Sequence, residues 1–325
     1  MLLCSASRLL LLGALIALAA PTGAYAYDWP VRPFDRQHPI RATFGDPRTR
    51  TGRVDRDPTN ALSFHDGVDI EAPDGTPVYS VAAGRAFLVR HSGVAVTSPD
   101  WSRATPLVFG YWHVDAVVAD HQLVGRHQLL GYVHSGAGHV HLSEQKFGRY
   151  VDPLRRGGLS PYRDATVPVI RAVRIRRCSP ADVAAPENVS GCVDLVVDAF
   201  DPPTLPLHDL WSGTVLPPAR VVWGGVFEGS WLPACVHEDV SLNHFAGLSL
   251  NDVYAPGTLQ NRPDRPGHYY FWLARHLDTH ELEDGSHMIW VSVYDARGNV
   301  STMTFDFTVA NAAVDDRATA LEPGP

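Results

Sequence analysis

The chain of 325 residues is 45% hydrophobic and 19% charged, an ordinary globular composition that excludes collagen-like and wholly disordered classes. Its formal net charge is -8, from 35 acidic and 27 basic residues, with no Lys/Arg-rich run, so nucleic acid is not an expected partner. The length suits two units, each able to bury its own core.

At the N-terminus, Arg8 precedes the apolar run from Leu9 to Ala20, and Ala24-Tyr25-Ala26 puts small residues where a signal peptidase reads them. Residues 1–26 therefore read as a signal peptide cut before Tyr27, and the expected location is secreted or periplasmic. The run is shorter than the ~20 apolar residues of a span, and no later segment approaches that length, so no stable membrane span is expected.

Residues 27–164 are rich in Gly, His and short apolar runs. Glycines and prolines interrupt them too often for helices, and short strands are expected at Pro77–Val81, Ala86–Val89, Leu107–Tyr111, Leu129–Val133 and His139–Leu142. A polar join, Asp164 to Pro168, leads into residues 165–311, where the runs are longer. Strands are expected there at Val169–Arg176, Val193–Phe200, Val221–Phe227, His268–Leu273 and Met288–Tyr294. Asp295 to Asn299 is turn chemistry, and Met303, Phe305, Phe307 and Val309 then alternate with polar residues as a half-buried strand does. A β-sandwich is the expected solution for this half. Residues 312–325 are small, acidic and proline-ended, as a disordered tail would be.

Cys178 and Cys192 each end a strand-like run and are the expected disulfide in an oxidising compartment, with Cys235 left over.

Five residues of the first half suggest chemistry. His65 and Asp69 are four apart in a segment whose Gly67 and Pro73 argue against a helix, so both face one side if it is extended. His139 and His141 do the same at spacing two, and His113 follows Tyr111-Trp112. Imidazoles and a carboxylate suit zinc, and three protein ligands with one position open are the pattern of a catalytic rather than a structural site. There is no HExxH glutamate, so a base must come from elsewhere, and histidine titrates in the right range.

These residues carry a resemblance. Phe44-Gly45, His65-Asp66-Gly67-Val68-Asp69-Ile70, Ala72-Pro73-Asp74-Gly75-Thr76-Pro77-Val78, Tyr111-Trp112-His113 and His139-Val140-His141 together resemble the motifs of the lysostaphin/LytM-type zinc metallopeptidases, over roughly residues 40–153. The resemblance implies a duplicated hybrid motif (barrel-sandwich-like) as catalytic domain in 27–164; with the strand pattern of 165–311, which reads as an immunoglobulin-like β-sandwich, the whole chain is expected to be all-β. It implies Zn2+ held by His65, Asp69 and His141, with His113 and His139 as catalytic residues beside the activated water. It further implies peptidoglycan peptides as substrate and endopeptidase activity. The alternative of another class is a non-catalytic hybrid-fold protein that binds peptidoglycan or regulates another cell-wall hydrolase. A protein or glycan partner for the C-terminal unit is expected by fold analogy alone.

The chain departs from the family where Leu142 and Ser143 follow the second histidine, with Glu144 one place late, and where His134 replaces a common glycine. His91, His121 and His127 read as loop residues, and His134 as a neighbour of the site. Trp211, Trp223, Trp231, Trp272 and Trp290 read as sandwich core.

Overall fold

The computed structural model describes residues 26–57, 59–89, 93–99, 107–179, 183–227, 238–241, 249–263 and 265–311. Residues 1–25 of the expected signal peptide, the expected tail, His91, Trp231 and Cys235 lie outside the described residues.

The chain is nearly all β. In the first half one antiparallel sheet runs in the order Ile40–Ala42, Gly67–Glu71, His139–Lys146, Leu107–Trp112, Gly93–Ser98, Gly84–Val89, Leu123–Val124, with Arg149–Val151 also paired to His139–Lys146. A smaller sheet of Pro77–Tyr79, Leu129–Val133 and Val114–Ala116 completes it. Their side chains share one core that includes Trp29, Ile70, Phe109, Tyr111, Leu130, Val140 and Leu142. The segment before the first strand belongs to that core, since Trp29 is fully buried and its Nε1 donates to the Pro161 carbonyl at 2.7 Å.

The second half holds a three-stranded sheet, Val169–Arg177, Cys192–Phe200 and Tyr270–Asp278, and a four-stranded one, Glu238–Ser241, Arg220–Phe227, Gly285–Tyr294 and Val300–Val309. A second core contains side chains of both, among them Val197, Phe271, Ile289, Val291 and Phe307. Along Val300–Val309, Thr302, Thr304 and Asp306 are exposed while Met303 and Phe305 are half-buried and Phe307 and Val309 buried, the alternation the sequence carries. The strand expected at His268–Leu273 instead runs from Tyr270 to Asp278. Strands such as Gly93–Ser98 and Ile40–Ala42 have no strong period of their own and form because neighbours pair with them.

The two halves are not independent bodies strung together. Val54, Ala61 and Phe64, from the first, pack into the core of the second. Val54 N–H donates to Thr258 O at 2.8 Å, and Gly257 N–H donates back to Val54 O at 2.9 Å. Tyr254 Oη donates to the Gly45 carbonyl at 2.8 Å, a buried bond beside the Phe44-Gly45 motif.

Cys178 and Cys192 form the expected disulfide, with Cα atoms 5.5 Å apart, joining the end of one strand to the start of the next across a sequence separation of 14. A loop of that size gives a bridge worth about 3 kcal/mol through the unfolded state. Replacing both cysteines by serine should lower the urea midpoint of the whole chain correspondingly, with a slope no shallower than before because the unfolded chain is freer to expand; an unchanged midpoint would contradict it.

Candidate metal centre

The register of two neighbouring strands creates the centre. Gly67–Glu71 and His139–Lys146 pair so that Asp69 lies directly opposite His141. Side chains of directly opposed residues share a face of the sheet, so the carboxylate and imidazole meet without any loop having to deliver them. Gly67 lets the strands approach: a Cβ there would lie 2.2 Å from Leu142 O and 2.8 Å from His141 Nε2.

His65 precedes this strand and is fixed by backbone and side chain together. Its N–H donates to Asp46 O at 2.9 Å and its carbonyl accepts from Gly45 N–H at 2.8 Å. Its Nδ1–H donates to the Thr43 carbonyl at 2.8 Å, which turns the Nε2 lone pair inward. That atom lies 3.0 Å from Asp69 Oδ1 and 2.8 Å from His141 Nδ1, while His141 Nδ1 lies 3.1 Å from Asp69 Oδ1. One nitrogen or oxygen from each of His65, Asp69 and His141 thus falls within 4.8 Å of the others, and all three residues are buried.

The outward atoms are held as well. His141 Nε2 faces Asp66 Oδ1 at 3.2 Å. Asp69 Oδ2 accepts from Arg48 Nη2 at 3.1 Å, and Arg48 Nη1 donates to the fully buried Asp46 at 2.7 Å. Tyr269 of the second half donates to the other Asp46 oxygen at 3.0 Å. The arrangement gives each ligand a partner on its far side, as metal sites commonly do.

His139 and His113 complete a cavity of about 250 Å³ that the three ligand candidates also line. His139 Nδ1 faces both Ala137 O, at 2.7 Å, and the Arg41 guanidinium, and its Nε2 faces inward, 3.5 Å from Asp69 Oδ1. The rings of His113 and His139 are 4.4 Å apart between centroids. His113 stands where the chain leaves the large sheet at Trp112 and enters the small one at Val114. It makes that corner at φ 61, a conformation a non-glycine residue adopts at a cost.

Burial pushes His65 and His139 down to about 4, aided in the first by Arg48 and in the second by Arg41, so both are neutral at pH 7. Burial likewise lowers His113. For His141 burial is outweighed by its hydrogen bonds to Asp66 and Asp69, which push it up to about 9. Burial also opposes the charge of Asp69, yet His65 and His141 hold its carboxyl well below the usual range.

Sequence reading missed several residues here. Arg41 sits where the pairing of Ile40–Ala42 with Gly67–Glu71 is irregular, and its guanidinium lies against His139 Nδ1 and over the Trp211 ring at 4.3 Å. Trp211 is therefore not core, as its grouping with the other tryptophans suggested: it lines the cavity, with Gln260 and Asn261 beside it. It arrives on a loop whose His208 Nδ1 meets Glu71 Oε2 at 2.8 Å. Nothing in the spacing of these residues links them to His65 or Asp69. Trp272 is buried as expected, and Trp223 and Trp290 are half-buried. His134 stays outside the cavity lining, its Nδ1 2.8 Å from Asp115 Oδ1. His127 and His121 lie in loops, each near an aspartate. Glu144, displaced relative to the family pattern, is a buried structural anion that accepts from Arg155 twice at 2.7 Å and from Tyr27 Oη at 2.7 Å.

Residues 63–153 match the model of peptidase family M23. That segment contains His65, Asp69, His113, His139 and His141. No curated protein matches the chain. Among solved structures the chain is similar to a zinc containing peptidase from Vibrio cholerae (22% identity, covering 39% of this chain and 39% of that one, TM-score 0.29). It is also similar to a putative glycyl-glycine endopeptidase LytM from Ruminococcus gnavus (17% identity, 40% of this chain and 58% of that one, TM-score 0.22). Lysostaphin, solved by NMR, is 13% identical over 81% of this chain and 87% of its own, at a TM-score of 0.27. The chain spans about two fifths of the length of the first of these.

Two imidazole nitrogens and one carboxylate oxygen, each carrying a lone pair toward the same point, are a donor set that fits zinc. In the metal-free chain a proton on His141 relieves their mutual repulsion, and a cation must displace it. Because its hydrogen bonds to the aspartates raise His141 to about 9, zinc binding at pH 7.5 should displace its proton, and this share of the proton release should fall as the pH rises through about 9. Calorimetry in buffers of different ionisation enthalpy checks this; release that is independent of pH would refute it.

Proposed function

We propose, on the premise that residues 63–153 form a domain of peptidase family M23, that this chain is a secreted or periplasmic zinc metalloendopeptidase hydrolysing peptide bonds of bacterial peptidoglycan. The observation that carries the reading is the convergence of His65 Nε2, Asp69 Oδ1 and His141 Nδ1 on one point of a cavity lined by two further neutral histidines.

His65, Asp69 and His141 would hold the zinc, which when bound supplies Lewis acidity to a carbonyl oxygen and to water. The remaining work falls to the protein. In the tautomer with its proton on Nδ1, toward Ala137, His139 offers the inward Nε2 lone pair to take a proton from the attacking water. His113, its ring tilted against that of His139, is placed to stabilise negative charge growing on the scissile carbonyl oxygen. Arg48 holds the second oxygen of Asp69, so that Oδ1 keeps its aim. Arg41 and Trp211 form a wall at which the substrate would be positioned.

His65→Ala, Asp69→Ala and His141→Ala should each abolish zinc retention and activity. His113→Ala and His139→Ala should retain stoichiometric zinc and lose activity by about 10²–10⁴-fold, the usual contribution of a positioned acid or base. Digestion of purified peptidoglycan with and without a chelator, followed by mass analysis of released muropeptides, tests activity and metal dependence together. Intact peptidoglycan despite bound zinc would favour the non-catalytic alternative. Trp211→Ala touches the wall rather than the reacting atoms, so it should raise KM by about 10-fold with a smaller effect on kcat, as steady-state kinetics would report.

A further inference from the structure

Three aspartates that the zinc chemistry does not use meet where the two halves join. Asp164 ends the first half, Asp201 follows the strand Cys192–Phe200, and Asp295 opens the turn between Gly285–Tyr294 and Val300–Val309. One carboxylate oxygen of each lies within 4.8 Å of the others. Asp201 and Asp295 are only 6% and 5% exposed, and Asp164 is half-buried.

Their hydrogen bonding is unequal. Asp164 accepts from Tyr162 Oη at 3.1 Å, Thr166 N–H at 3.0 Å and Thr166 Oγ1 at 2.6 Å. Asp295 accepts from the backbone N–H groups of Arg297 and Asn299, both at 2.8 Å, and from Asn299 Nδ2 at 2.5 Å. Asp201 Oδ1, by contrast, is buried with no hydrogen-bond partner. Burial and then the neighbouring Asp164 and Asp295 push the Asp201 carboxyl up to about 8. Such a group is either protonated or facing a cation; among the described residues the Arg297 guanidinium is within electrostatic reach of Asp164, but Asp201 itself has no cationic side chain beside it.

We propose that Asp164, Asp201 and Asp295 form a calcium site joining the two halves of the molecule. The donors are carboxylate oxygens alone, which suit hard cations and not the softer zinc of the histidine site. Calcium tolerates irregular geometry and oxygen contacts at about 2.3–2.6 Å, as donors drawn from three separate segments require; magnesium demands a near-ideal octahedron. The site would also brace the cavity wall. Asp201 exchanges backbone hydrogen bonds with Leu216, at 2.7 and 2.8 Å, and so closes the loop that carries His208 to Glu71 and Trp211 to Arg41.

The test uses the full chain, stripped of metal and reloaded with one equivalent of zinc. Calcium chloride is titrated in by calorimetry, and terbium chloride by luminescence excited through tyrosine, since Tyr162 touches Asp164 directly. The expected result is one calcium per chain beyond the zinc, terbium emission that calcium quenches, and a Tm rise on the order of 5 °C at 100 times the Kd. Asp201→Asn should fold, melt no lower than the parent without calcium because a buried repulsion is gone, and lose all three responses. Asp164→Asn should lose them too, whereas His65→Ala, which removes a zinc ligand, should keep them. A chain with native near-UV circular dichroism that binds neither ion at millimolar concentration would overturn the proposal, leaving a shared proton as what holds the cluster. So would responses that persist in Asp201→Asn, or a preference for magnesium over calcium.

Discussion

Three lone pairs pointed at one another on buried side chains set the terms for the rest of this molecule. His65 Nε2, Asp69 Oδ1 and His141 Nδ1 are separated by 2.8 to 3.1 Å, distances at which acceptors repel unless something positive stands between them. A proton on His141 satisfies one pair at a time. A divalent cation satisfies all three at once, and the burial that makes the empty arrangement costly makes the occupied one strong. The cluster is thus a site whose stability belongs to what it binds, and the surrounding structure serves to keep it from collapsing into some cheaper pairing.

That service is visible in how little freedom each ligand has. Asp69 and His141 are locked by strand register, and a slip of one residue between the strands would put them on opposite faces of the sheet. His65 lies off the strand and compensates with three hydrogen bonds to the Thr43–Asp46 segment, two through backbone and one through Nδ1. Gly67 permits the approach of the strands, since any Cβ would strike the Leu142 carbonyl. The two proposed catalytic histidines are constrained differently, one by a carbonyl at Nδ1 and the other by a left-handed corner between sheets. Precision here comes from sheet geometry, with a loop residue supplying only one of three ligands.

Much of this could be read in the sequence because the informative residues recur at short, strand-compatible spacings. His65 and Asp69 at four, and His139 and His141 at two, announce shared faces whatever the fold, and the alternation from Met303 to Val309 announces its strand. The wall of the cavity was illegible for the opposite reason. Arg41, Trp211, Gln260 and Asn261 are brought together only by the docking of one half on the other, which no local period encodes. Trp211 was grouped with core tryptophans since aromatic content alone does not separate a ring packed among strands from one stacked on a guanidinium. The disulfide was readable because strand ends bracket it; the displaced Glu144 was not, since its partner Arg155 comes from the following loop.

The dependence of the site on the second half follows from one buried path. Tyr269 donates to Asp46, Asp46 accepts from Arg48, and Arg48 holds Asp69 Oδ2. Buried ion pairs of this kind contribute little net stability, because desolvation consumes most of the Coulombic gain; what they contribute is a penalty for any other arrangement. Asp46 shows the balance, since burial raises its carboxyl to about 6 even with Arg48 and Tyr269 beside it. Remove the tyrosine hydroxyl and Asp46 loses a partner while remaining buried, which frees Arg48 to reorganise and with it the carboxylate it aims. The second half therefore does more than tether the first: it supplies the last link that keeps Asp69 facing the histidines.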